Sequence, residues 1–311
     1  MAIYGQPNRW QCGPFAIKHA LLALGRFAHE DELARLAGSS ETIGTDERGL
    51  TRAARALGCD LGLVRHKHPE TARRALTETL GRGVPALLCL DQWEHWVTAV
   101  SVQGDRFVVF DSHYEQPLRI ESWPALEGRL VYREQRPFRS RTLYDIHPLT
   151  PRRSQRLRFW LTPRRAEELK GSAHGLLEHD WDELARRVLG LGVPAGQQLE
   201  LGTPLAEWIG AHRDQIVEEA AQFSMLLDIA EVGRTLDEIG FVATLYGVLL
   251  RPEDEPYAVR RLAVMAAARA ARVAERRSWA RAARLAPRGA SIEPSGVPAA
   301  GPLVRERLQA S

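Results

Sequence analysis

Three cysteines in 311 residues are too few to staple this chain. Cys12, Cys59 and Cys89 show no CxxC spacing. An odd, sparse set of thiols argues against a disulfide framework and against a structural zinc site, so neither a metal nor another cofactor is expected. Long apolar runs are also missing. Nothing approaches the ~18 uninterrupted residues of a membrane span, and no membrane partner is expected. The opening Met1-Ala2-Ile3-Tyr4-Gly5-Gln6 has neither a basic n-region nor an apolar h-region. No secretory signal is expected, and a reduced, cytoplasmic setting is the default. Charge of one sign is scarce too. The formal net charge is +3, which is too little to make nucleic acid an expected partner.

What is present is ordinary globular material, 44% hydrophobic and 26% charged. A length of 311 residues fits two domains, or one domain with an extension, better than one core. Helical periodicity covers 14–25, 29–36, 50–57 and 71–80. Pro14 suits a first turn, and Gly25 and Gly58 suit stops. Residues 60–65 have strand character. The pattern then changes to the apolar run Val84–Leu90, followed by β-rich stretches at 96–102 and 106–110 with Gly104 as the hairpin turn. Edge strands are expected at 118–120 and 129–133. Helices before strands predict an α+β domain over 1–135. Residues 136–174 read as an Arg- and Pro-rich linker, 175–286 as an all-α region, and 287–311 as a disordered tail. The expected C-terminal helices are 180–189, 204–212, 215–230, 234–250 and 256–285.

Four residues carry the chemistry. Cys12 precedes Gly13 and Pro14 at the start of the first helix, where unpaired N–H groups and the positive end of the dipole favour thiolate. Gly13 leaves room for a substrate to approach the backbone. His95, between Glu94 and Trp96 at the mouth of a strand, is the expected base for the thiol. Asp111 ends the next strand, where it can accept from the imidazole and fix its tautomer. Gln6 lies six residues ahead of Cys12 and supplies a neutral amide for an oxyanion, together with the Cys12 N–H. Each alone has a bland alternative: a buried thiol, a half-buried histidine, a turn aspartate, a surface glutamine. Their order along the chain describes one site. Cys59 and Cys89 lack such a setting and read as core.

These motifs resemble the papain-like cysteine peptidases that remove double-glycine leaders from bacteriocins, and their stand-alone relatives. The likeness rests on Gln6 before Cys12-Gly13, on the helix Gly49-Leu50-Thr51-Arg52-Ala53-Ala54-Arg55-Ala56-Leu57-Gly58, on Val84-Pro85-Ala86-Leu87 with His95-Trp96-Val97, and on Asp111. It spans roughly 1–135. It departs from the family at Gln11, where an Asp is frequent, and at Ser112, where a Pro is frequent. The resemblance implies a papain-like domain of N-terminal helices and antiparallel sheet, acting as a cysteine peptidase on a peptide or protein substrate. Peptide or isopeptide hydrolysis, deamidation and acyl transfer share the same first half-reaction. The alternatives from other classes are a catalytically silent peptide-binding module and a helical scaffold. The scaffold would use the basic face of the last helix (Arg260, Arg261, Arg269, Arg272, Arg276, Arg277, Arg281, Arg284) toward a protein partner. That face reads equally as solvated, and Ala266, Ala267, Ala268, Ala270 and Ala271 as a close-packing stripe.

Overall fold

The computed structural model describes residues 3–136, 139–153, 159–170, 181–194, 202–224 and 227–285, so the expected tail lies outside the described residues. Three helices lead the chain: α1 (Cys12–Ala23), α2 (Glu30–Ala37) and α3 (Glu47–Ala56). Two short strands, β1 (Cys59–Leu61) and β2 (Val64–His66), precede α4 (Pro69–Gly81). Then come β3 (Ala86–Leu90), β4 (His95–Gln103), β5 (Arg106–Phe110), β6 (Leu118–Ser122), α5 (Trp123–Leu130), β7 (Tyr132–Arg136) and β8 (Arg139–Pro151). These strands form one antiparallel sheet in the order β1-β8-β3-β4-β5-β6, with β2 and β7 also paired to β8.

The sheet is covered on both faces, which is why 86–90 reads as a continuous apolar run instead of an alternating one. Ala86, Leu88 and Leu90 pack with Leu76 of α4 and Leu126 of α5. Leu87 and Cys89 face the other way, with Ile17 and Leu21 of α1 and Leu50 of α3. The Thr98 hydroxyl of β4 donates to the Ala16 carbonyl and ties α1 to the sheet centre. Gly25 ends α1 at φ +68° and Gly104 turns the β4–β5 hairpin at φ +62°, both in the left-handed region that a side chain resists.

Two stretches differ from the sequence expectation. Residues 123–130, ahead of the expected edge strand, form α5, and that strand starts only at Tyr132. Residues 139–151, read as part of a linker, form the longest strand of the sheet. Tyr144 and Ile146 of β8 meet the α4–α5 core, while Asp145 and His147 on the opposite face are polar and buried. Polar residues on an inward face erase the alternation that marks a strand.

The C-terminal part holds α6 (Pro163–Lys170), α7 (Trp181–Leu189), β9 (Val193–Pro194), β10 (Thr203–Pro204), α8 (Leu205–Ala211), α9 (Arg213–Ala221), α10 (Ile229–Tyr246), β11 (Val248–Leu250) and α11 (Glu255–Leu285). It is helical, with one small sheet in the order β10-β11-β9 inside it. The expected helix 215–230 is broken, since α9 ends at Ala221 and α10 is capped anew by Asp228. This part packs on the sheet: Val100, Val108 and Phe110 share a core with Leu236, Val242 and Tyr246 of α10. The Tyr246 hydroxyl donates to the Leu22 carbonyl of α1 at 3.0 Å. On α11 the alanines Ala266, Ala267 and Ala270 are buried, and Arg269 is 6% exposed with its guanidinium 2.7 Å from Glu238. Arg269 is therefore a packed ion pair and not part of a solvated basic face. No helix among the described residues is long and apolar enough to cross a membrane.

Candidate active site

The β4–β5 hairpin and the start of α1 meet at one end of the sheet. Cys12 is the first residue of α1 and is 5% exposed. His95 is the first residue of β4, and Asp111 follows the last residue of β5. A bulge between Ala99 and Ser101 shifts the hairpin register by one, and the two functional residues finish at the same edge. His95 Nε2 lies 2.6 Å from Asp111 Oδ1. The imidazole is also hydrogen-bonded to Cys12. The structure thus brings Cys12, His95 and Asp111 into one chain of hydrogen bonds.

The electrostatics follow from that geometry. Burial by itself pushes the Cys12 thiol up. The hydrogen bond from His95, the Trp96 backbone N–H and the imidazolium charge outweigh burial and hold the thiol below its ordinary value. Burial pulls His95 down, but its hydrogen bonds to Asp111 and Cys12 raise it to about 9. Burial favours the neutral acid at Asp111, and His95, the His113 N–H and Arg129 reverse this and keep it ionised. The arrangement therefore favours thiolate, imidazolium and carboxylate in sequence, the form in which a thiol is nucleophilic. Cys59 and Cys89 go the other way. Burial raises both thiols above the ordinary range.

Gln6 is held at the Asp111 side of the site. Its N–H donates to the Ser112 carbonyl at 2.7 Å, and its Oε1 accepts from the Ser112 hydroxyl at 2.7 Å. Its Nε2 donates one proton to the Asn8 carbonyl at 2.8 Å, leaving one amide proton for another acceptor. Ser112 thus anchors Gln6. The segment carrying Gln6 is pinned further by the Tyr4 hydroxyl on Glu30, which also takes the buried Lys18 ammonium at 2.6 Å. Burial raises the Glu30 carboxyl, and Lys18 and Tyr4 bring it down to about 2. Gly13 has a different role from the one expected. A Cβ there would lie 2.6 Å from the Thr45 Cβ, so the space beside it is filled by the protein's own side chain.

Two parts of the site have no signal in the sequence pattern. Arg129 at the end of α5 reaches Asp111 Oδ2 at 3.2 Å, Asp91 at 2.9 Å and Glu121 at 3.5 Å. Its charge adds to the larger effect of His95 in keeping the fully buried Asp111 ionised. The second is the link from β3 to β4. Asp91, Gln92 and Trp93 adopt φ of 55°, 62° and 69°, three left-handed residues in a row with no glycine among them. Such residues cost of order 1–3 kcal/mol each and persist only where the surroundings over-determine them. Here 129–133 does so. The Asp91 N–H donates to the Arg129 carbonyl, and Gln92 bridges the Val131 carbonyl and the Arg133 N–H. Trp93 stacks on Tyr132 at 3.7 Å between ring centroids. This turn delivers the chain to His95 in a fixed direction.

No family model matches the chain, and no curated protein does. Solved peptidase domains of double-glycine motif proteases are similar in structure. One is a double glycine motif protease from an AMS/PCAT transporter, in complex with the leader peptide. It is 16% identical with a TM-score of 0.36, over 48% of this chain and 90% of its own. A second is the peptidase domain of Streptococcus ComA, a bi-functional ABC transporter involved in a quorum-sensing pathway, 16% identical with a TM-score of 0.37, over 48% of this chain and 98% of its own. The peptidase domain of Streptococcus mutans ComA is 15% identical with a TM-score of 0.32, over 49% of this chain and all of its own. Likeness this distant assigns no residue its role. The placement of Cys12, His95, Asp111 and Gln6 is given by the distances and charges above.

Proposed function

We propose that this protein is a cysteine peptidase that hydrolyses a peptide or isopeptide amide bond. Cys12 is the nucleophile, His95 the general base and acid, Asp111 the residue that orients the imidazole, and Gln6 with the Cys12 N–H the oxyanion donors. The observation that carries this reading is the continuous contact from Cys12 through His95 to a fully buried, ionised Asp111. The thiolate attacks the carbonyl carbon, and the oxyanion forms against the Gln6 amide. The imidazolium gives its proton to the amine as the C–N bond breaks, leaving a thioester. His95 then takes a proton from water, the hydroxide attacks the thioester, and the carboxylic acid leaves with the thiolate restored. Asp111 holds Nε2–H throughout, so the other ring nitrogen always faces sulfur. The partner this chemistry requires is a peptide or protein substrate.

Labelling with an electrophilic peptide probe tests the reading by intact mass. One adduct on Cys12 is expected, absent in Cys12→Ala and much slower in His95→Ala. No adduct, or equal labelling of Cys59 and Cys89, sinks it.

A further inference from the structure

A pocket of about 200 Å³ opens beside Cys12 and plays no part in the chemistry just described. The two share a wall. Trp96 follows the base, and its backbone N–H is hydrogen-bonded to Cys12 while its indole N–H donates to the Thr45 carbonyl at 3.0 Å. Thr45 in turn packs on Gly13. Whatever fills this pocket lies against Trp96, whose backbone touches Cys12.

The pocket is short of cations and rich in acceptors. Asp46, Glu47 and Asp145 line it against one guanidinium, Arg65. Asp46 is committed to capping α3 through the Gly49 N–H, and Asp145 is held by Arg65 in a two-pronged pair at 2.6 Å. Glu47 is the carboxylate left to face the space. Opposite it is His147, 2% exposed, whose Nδ1 finds no hydrogen-bond partner among the described residues. Burial lowers His147, and the ring is hydrogen-bonded to the Gly62 backbone. The neutral ring therefore presents Nδ1 as a bare acceptor. A buried acceptor without a donor is costly and points to something that fills it.

His147 Nδ1 and Glu47 Oε1 are 4.0 Å apart. One nitrogen can sit at ordinary hydrogen-bond length from both, at an angle of roughly 90°, which suits a compact ammonium with three donors better than a forked guanidinium. Trp93 and Trp96 add apolar ring surface to the lining for a methylene stem.

Building on the peptidase reading, we propose that this pocket is a specificity site for a lysine side chain of the substrate. The ammonium is shared between Glu47 and His147 Nδ1, and the stem lies on the tryptophans.

The test uses alanine hexapeptides in which one lysine, norleucine or glutamate is walked through every position. Each is scored by its protection of Cys12 against iodoacetamide, read by intact mass. At one position lysine should protect at a concentration on the order of tenfold below norleucine, and glutamate should not protect. Glu47→Gln should remove that advantage, so that lysine and norleucine protect alike at that position. Equal protection by norleucine at every position, or a lysine advantage that survives Glu47→Gln, overturns the lysine site and leaves the peptidase reading standing. Failure of iodoacetamide to select Cys12 over Cys59 and Cys89 in the free protein overturns both.

Discussion

Replacing Asp111 by Asn removes a charge while keeping the shape of the site. His95 is raised from 6.5 to about 9, and the hydrogen bond to Asp111 is the largest upward contribution. The whole rise corresponds to ~3.4 kcal/mol at about 1.4 kcal/mol per unit. Assigning Asp111 somewhat more than half gives ~2 kcal/mol, or about 1.5 units. The sign follows from His95 being a base with a raised value. The imidazolium persists up to about 9 in the wild type and should deprotonate near 7.5 in Asp111→Asn. The ion-pair window should therefore narrow from its basic side. At pH 6 both proteins should keep the imidazolium, and in the variant the ion pair should be lost about 1.5 units earlier as pH rises. The assay is the iodoacetamide rate from pH 5 to 10, with circular dichroism confirming that the variant is folded. Arg129 keeps Asp91 and Glu121 as partners, so the fold should survive. A folded Asn variant whose pH profile superimposes on the wild type would refute the role of Asp111 in setting His95.

Arg129→Gln strips the shared cation from three carboxylates, including the fully buried Asp111. A loss of ~2–4 kcal/mol is expected in denaturant unfolding at pH 7, of the size seen when one partner of a buried pair is removed. The loss should shrink on acidification, because burial already raises Glu121 and its protonation relieves the repulsion. An unchanged midpoint at pH 7 would contradict the network. His19 in α1 is 1% exposed, with neither ring nitrogen bonded among the described residues, and burial pulls it to about 3. It is neutral when folded, so stability present above 6.5 is lost as pH falls toward 3. His19→Leu should abolish a wild-type loss of ~2 kcal/mol between pH 7.5 and 5, measured by thermal unfolding, and equal acid sensitivity in the two proteins would count against it.

Much of the site was legible because its elements are local. A proline in the first turn and apolar spacing place a helix directly after Cys12. The apolar run at 86–90 and the hairpin about Gly104 place His95 and Asp111 on neighbouring antiparallel strands, and antiparallel pairing sets the two outer ends of a hairpin together. Those features depend on residues a few positions apart, where side-chain type and period act directly on the backbone.

What escaped the sequence depends on pairs far apart in the chain. Arg129 gains its role only because α5 returns beneath the β3–β4 link, joining it to Asp91 and Asp111, 38 and 18 residues away. The left-handed turn at 91–93 contains no glycine, and contacts with 129–133 hold it there. Strand β8 was hidden because Asp145 and His147 occupy an inward face, where they answer Arg65 and the pocket instead of the core. The sequence by itself determined which groups can react and which elements carry them, since reactivity and local backbone preference belong to residue type. The tertiary structure decided which charge stands beside Asp111, in what direction His95 points and what surrounds Cys12, because long-range packing and ion pairing can override local preference and have no period along the chain.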